Sequence, residues 1–273
     1  VMKKVFWIIL CMFFIPLVTF AGNMKLHYDR PAEYFEEALV IGNGTMGATL
    51  YGGVKKDKIS FNDITLWTGE PESENSSPDA FNVIPEIRAL LDNEDYEGAD
   101  KAQYKVQGHY SENYQPLGTL TIEYLDDTAG ISDYHRWLDI GNATARTQYL
   151  KDGKLFTSDY FASAPDSVIV IRLKSENKEG IHALLSFDSP LPHSSQVADN
   201  EISVEGYAAY HSFPVYYKAE DKHRYDPERG IHFKTLVRVL SVDGSVKNRY
   251  SDSRIEIDGS TEVLILIANV TSF

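Results

Sequence analysis

The sequence contains one cysteine, Cys11. It lies in an N-terminal apolar run, so no disulfide framework and no cysteine nucleophile is available to the fold. None of the eight histidines stands in an HxH or HExxH spacing, and no GxSxG elbow is present. No metal site, no cofactor and no nucleophilic triad is therefore expected. Positive charge is also scarce, with 26 Lys and Arg against 40 Asp and Glu and a net charge of −14. That balance argues against nucleic acid or an anionic membrane as partner. No internal repeat or long low-complexity tract occurs.

What is present begins with a leader. Lys3 and Lys4 precede an apolar run from Val5 to Val18, and Thr19-Phe20-Ala21 follows as a small-residue cleavage site. The run is shorter than the about 20 residues that a membrane span needs. Residues 1–21 read as a secretory signal peptide. The remaining chain, 22–273, is expected to be exported to a bacterial periplasm or the extracellular space, with no membrane association after cleavage. Removing the leader also removes Cys11.

The mature part is rich in strand signals. Aromatics make up 12% of the chain, including 17 Tyr and 13 Phe, and these residues suit pleated, half-buried surfaces. Leu120, Ile122 and Tyr124 alternate with polar residues, as do Ile181, Ala183, Leu185 and Phe187, and then Ile231 to Val239. Ser167–Leu173 and Glu262–Ala268 are continuous apolar runs, which suit more fully buried strands. Asp152-Gly153, Asp243-Gly244 and Asp258-Gly259 separate such runs, and Asp-Gly is a strong hairpin signal. One segment differs. Pro85 is expected to open a helix carrying Ile87, Leu90 and Leu91, and a second helix carries Tyr96, Ala99 and Ala102 and ends at Gly108. The fold class is mainly β: a large antiparallel sandwich with an inserted helical hairpin. Polar excursions are expected at 70–80 and 216–230.

Several motifs bear on function. Gly42, Gly44 and Gly47 have the raw spacing of a dinucleotide fingerprint, but no βαβ pattern surrounds them, so they read as turn and packing glycines. Trp67 ends a strand next to Asn62 and Asp63; such a ring stacks on a sugar, or is buried in the core or a domain interface. Tyr114 and Gln115 precede a Pro-Gly turn into the next strand and are placed to reach a ligand or a neighbouring domain. Carboxylates such as Glu36, Glu37, Asp63, Asp139 and Asp159 are plentiful, but a glycosidase pair is defined by spatial separation, which sequence does not show.

Taken in order, EALVIGNGTMGATLYGGV (37–54), NDITLWTGEP (62–71), IPEIRALL (84–91), YQPLGTL (114–120), YHRWLDI (134–140), FASAPDSVIVIRL (161–173) and LILIANVTSF (264–273) resemble glycoside hydrolase family 95. Its characterised members are mainly α-L-fucosidases. The resemblance runs from about Tyr34 to Phe273 and departs from the family pattern at Phe35, Val40, Ile64 and Ser158-Asp159. It implies an N-terminal β-sandwich that packs on an (α/α)6 catalytic barrel in an inverting hydrolase. The catalytic residues lie in that barrel, which is absent from these residues, so no catalytic residue is carried over. On this reading the chain is non-catalytic by itself and its partner is its own missing barrel, with oligosaccharide substrate at the rim. Asn62, Trp67, Tyr114 and Gln115 are the candidates for the interface or cleft rim. The apolar strand running into Phe273 reads as a chain that continues. The alternative is a free-standing carbohydrate-binding or structural β-sandwich module.

Overall fold

A computed structural model describes residues 24–71, 80–108 and 111–273. The leader expected at 1–21 and most of the polar loop at 70–80 lie outside the described residues. Alternation of apolar and polar residues gives many of the strands one face to bury, and two antiparallel sheets bury those faces against each other. The larger sheet has nine strands. In spatial order they are β1 (Lys25–Tyr28), β6 (Ile131–Asp139), β7 (Thr144–Lys151), β8 (Lys154–Ser163), β9 (Val168–Ser175), β18 (Glu262–Thr271), β15 (His232–Ser241), β12 (Glu201–Tyr207) and β11 (His193–Ala198). The smaller has seven: β16 (Ser245–Arg249), β17 (Arg254–Ser260), β10 (Ile181–Asp188), β5 (Gly118–Tyr124), β4 (Lys56–Asp63), β3 (Met46–Leu50) and β2 (Leu39–Gly42). A short pair, β13 (His211–Ser212) and β14 (His223–Arg224), sits inside the second polar excursion.

The core lies between the sheets. Ile59, Phe61, Leu120, Ile122, Ala183 and Leu185 of the smaller sheet face Ile169, Ile171, Leu173, Val237, Ile265 and Ile267 of the larger. The glycine-bearing stretch at 42–47 is the β2–β3 hairpin, with Gly44 at φ +94° in its turn. No helix follows it, which agrees with the turn-glycine reading.

The three Asp-Gly pairs behave differently. Asp152 (φ +50°) and Gly153 (φ +73°) form the expected type I′ hairpin between β7 and β8. The other two pairs differ in topology. Asp243-Gly244 links β15 to β16, and Asp258-Gly259 lies within β17 just before the chain passes to β18. Each of those links joins one sheet to the other, so neither makes a hairpin. Backbones approach closely at these links: a Cβ on Gly244 would lie 2.6 Å from the carbonyl carbon of Gly259.

The helical hairpin is present as α1 (Ala80–Asp92) and α2 (Tyr96–Gln103). Pro85 does not open α1; it sits inside it. The half-buried stripe of Val83, Ile87 and Leu90 begins before the proline, and packing of that stripe on α2 carries the helix through the missing N–H. Asp95 caps α2, its carboxylate accepting from Gly98 N at 2.9 Å. The two helices pack chiefly on each other and not on the sheets.

At the end of the sandwich opposite that hairpin, Asp57 is buried in the core. Its carboxylate accepts from Gly53 N at 2.9 Å and from the Tyr160 hydroxyl at 2.8 Å. Loss of hydration outweighs these two bonds and pushes the carboxyl up to about 6. The folded chain therefore holds this proton more tightly than the unfolded chain, whose Asp titrates near ~3.9. Between those two values the native state carries more protons, so stability falls as pH rises through the window. The contribution is about 3 kcal/mol, fully present below pH ~4 and lost above pH ~6. Asp57→Asn is expected to flatten the slope of unfolding free energy against pH in that interval, as read by urea midpoints at several pH values. An unchanged slope would show that Asp57 is ionised in the fold.

Candidate functional site

The end of the sandwich where β4 finishes and β5 starts collects the sequence-derived candidates. Asp63 closes β4 and turns the chain. Its Oδ1 accepts from Thr65 N at 2.9 Å and from Thr65 Oγ1 at 2.6 Å. That turn decides which of two adjacent apolar residues enters the core: Leu66 is fully buried and Trp67 is 41% exposed. The Trp67 indole N–H donates back to Ile64 O at 3.0 Å, which holds the ring at the surface. Trp67 is not a core residue.

The return segment runs beside it. Gln115 N donates to Leu66 O at 2.9 Å and Thr68 N to Asn113 O at 2.8 Å. These bonds set the Trp67 and Tyr114 rings against each other, centroids 5.4 Å apart and tilted by 58°. Tyr114 is 43% exposed. Partial burial raises its phenol above the ordinary value and the nearby Asp63 carboxylate adds to this, although the Asn62 side chain opposes it. The hydroxyl is thus a neutral donor at physiological pH. Asn62 lies beside the same segment, with Nδ2 3.5 Å from Gln115 O, while Gln115 Nε2 approaches its own neighbours' carbonyls. All four candidates share one small surface of flat rings and amides.

The last strand passes this surface. Asp63 Oδ2 accepts from Asn269 Nδ2 at 2.8 Å, and the Thr65 and Thr271 hydroxyls lie 2.6 Å apart. Asn269 in turn accepts from Thr235 Oγ1 at 2.7 Å. Asp63 is therefore a structural residue: it shapes the Trp67 turn and ties the two sheets together.

A second cluster was not legible in the sequence. Glu112 accepts from Thr68 Oγ1 at 2.5 Å and from Ser212 N at 3.0 Å, and pairs with His211 Nδ1 at 2.8 Å. Ser212 Oγ lies 2.7 Å from His223 Nδ1 and accepts from Asn113 Nδ2 at 2.7 Å. Ser, His and carboxylate come together here in the types of a hydrolytic triad. Ser212, however, is wholly buried and its hydroxyl is already engaged. The cluster fastens the β13–β14 excursion onto the Tyr114 segment. Arg229 adds a second fastening: it pairs with Glu70 and lies over the Tyr210 ring at 3.7 Å. The bond from Arg229 lowers the Glu70 carboxyl below its usual range. Apart from Thr68–Glu112, Ser212–His223 and Tyr210–Arg229, these partners lie about a hundred or more residues apart, and no short motif marks them.

The helical hairpin rises from the same end. Phe81, Ile84, Leu91, Tyr96 and Tyr104 are exposed on it. With Trp67 and Tyr114 they give this end an exposed apolar and aromatic surface, suited to stacking and packing.

The residues 26–273 match the model of the N-terminal domain of glycosyl hydrolase family 65. The chain is 28% identical over 257 residues to "Alpha-L-fucosidase 2" of Arabidopsis thaliana, which covers 92% of this chain and 30% of that protein. It is 28% identical over 273 residues to "Probable alpha-fucosidase A" of Aspergillus niger, covering 93% of this chain and 31% of that protein. A solved structure titled "Putative kojibiose phosphorylase from human microbiome" aligns over 92% of this chain and 33% of its own, with TM-score 0.47 and 9% identity. The chain thus spans about a third of the length of the curated relatives it matches. Because the family model covers nearly every described residue, this chain belongs to the glycosyl hydrolase family 65 N-terminal domains.

Proposed function

We propose that this chain is the non-catalytic N-terminal sandwich of an exported, family 95-type glycoside hydrolase that cleaves terminal α-L-fucosyl linkages with inversion. Its aromatic end packs on, and forms part of the rim of, a catalytic (α/α)6 barrel. The observation that carries this reading is the convergence of Asn62, Trp67, Tyr114 and Gln115 on one end, beside a helical hairpin with exposed apolar side chains. Large exposed apolar surface on a domain marks a contact with another domain or a ligand. The names and lengths of the fucosidase relatives support the activity assigned to the whole protein.

An inverting glycosidase needs an acid and a base on opposite faces of the scissile bond, about 6.5–9.5 Å apart. The residues at the aromatic end do not offer such a pair: Asp63 is committed to Thr65 and Asn269, and Glu112 to Thr68, His211 and Ser212. The chain alone is expected to leave 2′-fucosyllactose intact, while the complete protein hydrolyses it. Trp67→Ala is expected to cost the isolated domain about 1 kcal/mol, as a surface ring does, and not the ~3–5 kcal/mol of a buried Trp. In the complete protein the same change lowers turnover or loosens the domain contact at least tenfold. Hydrolysis by residues 24–273 alone overturns the non-catalytic assignment. Full activity of the Trp67→Ala protein overturns the rim assignment.

A further inference from the structure

On the outer face of the nine-stranded sheet, antiparallel register lines up two rows of side chains. Ser194, Glu205, Lys234 and Val270 occupy one row on four neighbouring strands. Tyr207 and His232 stand side by side in the next row. Together they floor an open groove of about 700 Å³, a volume in the range of small-ligand sites. We propose that this groove binds a neutral oligosaccharide.

The chemistry of the floor selects that class. Lys234 Nζ and Glu205 Oε1 lie 2.6 Å apart, and both side chains are about half exposed. An exposed pair of this kind contributes little to stability. It does place a strong donor beside a strong acceptor, the arrangement that two adjacent sugar hydroxyls satisfy. Because the pair neutralises itself, the groove has no net charge to hold a phosphate or a carboxylate, and the surrounding chain is acidic. A purely apolar ligand is disfavoured, since it would strip water from both charges.

The second row supplies an apolar face. The Tyr207 ring lies 5.8 Å from His232 and meets Tyr225 edge-on at 6.5 Å, so its orientation is set before any ligand arrives. Amphipathic rings of this type cover the C–H face of a pyranose while their polar atoms stay wet. Preset rings and an existing ion pair lower the ordering cost of binding. Row spacing along a strand is about 6.8 Å for two residues, close to the length of one pyranose with its linkage, so the two rows engage a single sugar unit and its neighbour.

The test is calorimetric titration of the protein with cellotetraose, maltotetraose, a xyloglucan heptasaccharide and 2′-fucosyllactose, with polygalacturonate as the acidic comparison. At least one neutral glycan is expected to bind with a Kd on the order of 1 mM or tighter, and polygalacturonate is not. Tyr207→Ala and Glu205→Ala should each weaken that binding about tenfold, while Tyr207→Phe keeps most of it. Glu205 is exposed, so its variant does not depend on the fold tolerating a lost ring. The proposal is overturned if no neutral glycan binds below roughly 10 mM. It is also overturned if both alanine variants bind as the parent does, or if polygalacturonate binds equally well.

Discussion

Arg136→Ala is expected to lower the unfolding free energy by about 3–5 kcal/mol, among the largest effects of any single change in the domain. Arg136 lies on β6, directly across from Tyr28 of β1, and only 1% of it is exposed. Among the described residues no carboxylate forms a close ion pair with it. Its Nε donates to Arg30 O at 2.7 Å and its Nη1 to Glu37 O at 2.8 Å, while the guanidinium lies 4.1 Å from the Tyr28 ring centroid. One side chain thus gathers the N-terminal strand and the segment that follows it. Truncation leaves two carbonyls without their donor, empties the volume beneath Tyr28 and removes a cation–π contact. Because β1 pairs only with β6 among the described residues, it should detach first. Hydrogen exchange at Leu26 and Tyr28 is expected to rise more than exchange in β9. Arg136→Lys should recover little, since an ammonium cannot span both carbonyls as the planar fork does. If alanine costs less than about 1 kcal/mol, or if lysine restores full stability, the anchoring role is wrong.

Nothing in YHRWLDI marks Arg136 as a buried anchor, because its partners are main-chain atoms about a hundred residues earlier. The same physical limit separates the legible from the illegible elsewhere. Alternation in LTIEY, IHALLSF and HFKTLVRV is a local property, and each stretch forms the strand its period requires, as β5, β10 and β15. The helical hairpin is legible for the same reason, although Pro85 misplaces its start. Of the site, Asn62, Trp67, Tyr114 and Gln115 could be singled out by residue type, and they do meet. That Leu66 goes in and Trp67 comes out depends on one carboxylate–hydroxyl turn at Asp63 and Thr65, which residue type alone does not specify. The Glu112–His211–Ser212–His223 cluster depends on folding an excursion back over the β4–β5 end. Local pattern carries no information about that.

The Asp-Gly pairs separate local from tertiary causes most cleanly, and they give the last prediction. Gly153→Ala is expected to cost about 1 kcal/mol, and Gly244→Ala about 3–5 kcal/mol. Both glycines have positive φ, +73° and +67°, so both substitutions force an L-residue into the left-handed region at similar strain. Their surroundings differ. A Cβ on Gly153 meets nothing within 4 Å, whereas one on Gly244 lands 2.6 Å from the carbonyl carbon of Gly259. A Cβ built on Gly180 would land 2.4 Å from the same carbon. Three chain segments therefore touch backbone to backbone where β15–β16 and β17–β18 pass between the sheets. Asp243 locks that crossing, its Oδ1 accepting from Thr261 N at 2.6 Å and its main-chain oxygen from Ser260 Oγ at 2.7 Å. Relief of the clash requires moving main chain that these bonds hold, so strain adds to the overpacking cost instead of relaxing away. Urea midpoints of the two variants, measured beside the parent, give the comparison directly. Equal losses at the two sites would mean that backbone conformation alone demands glycine, and that the close approach at the crossing is not what holds Gly244 in place.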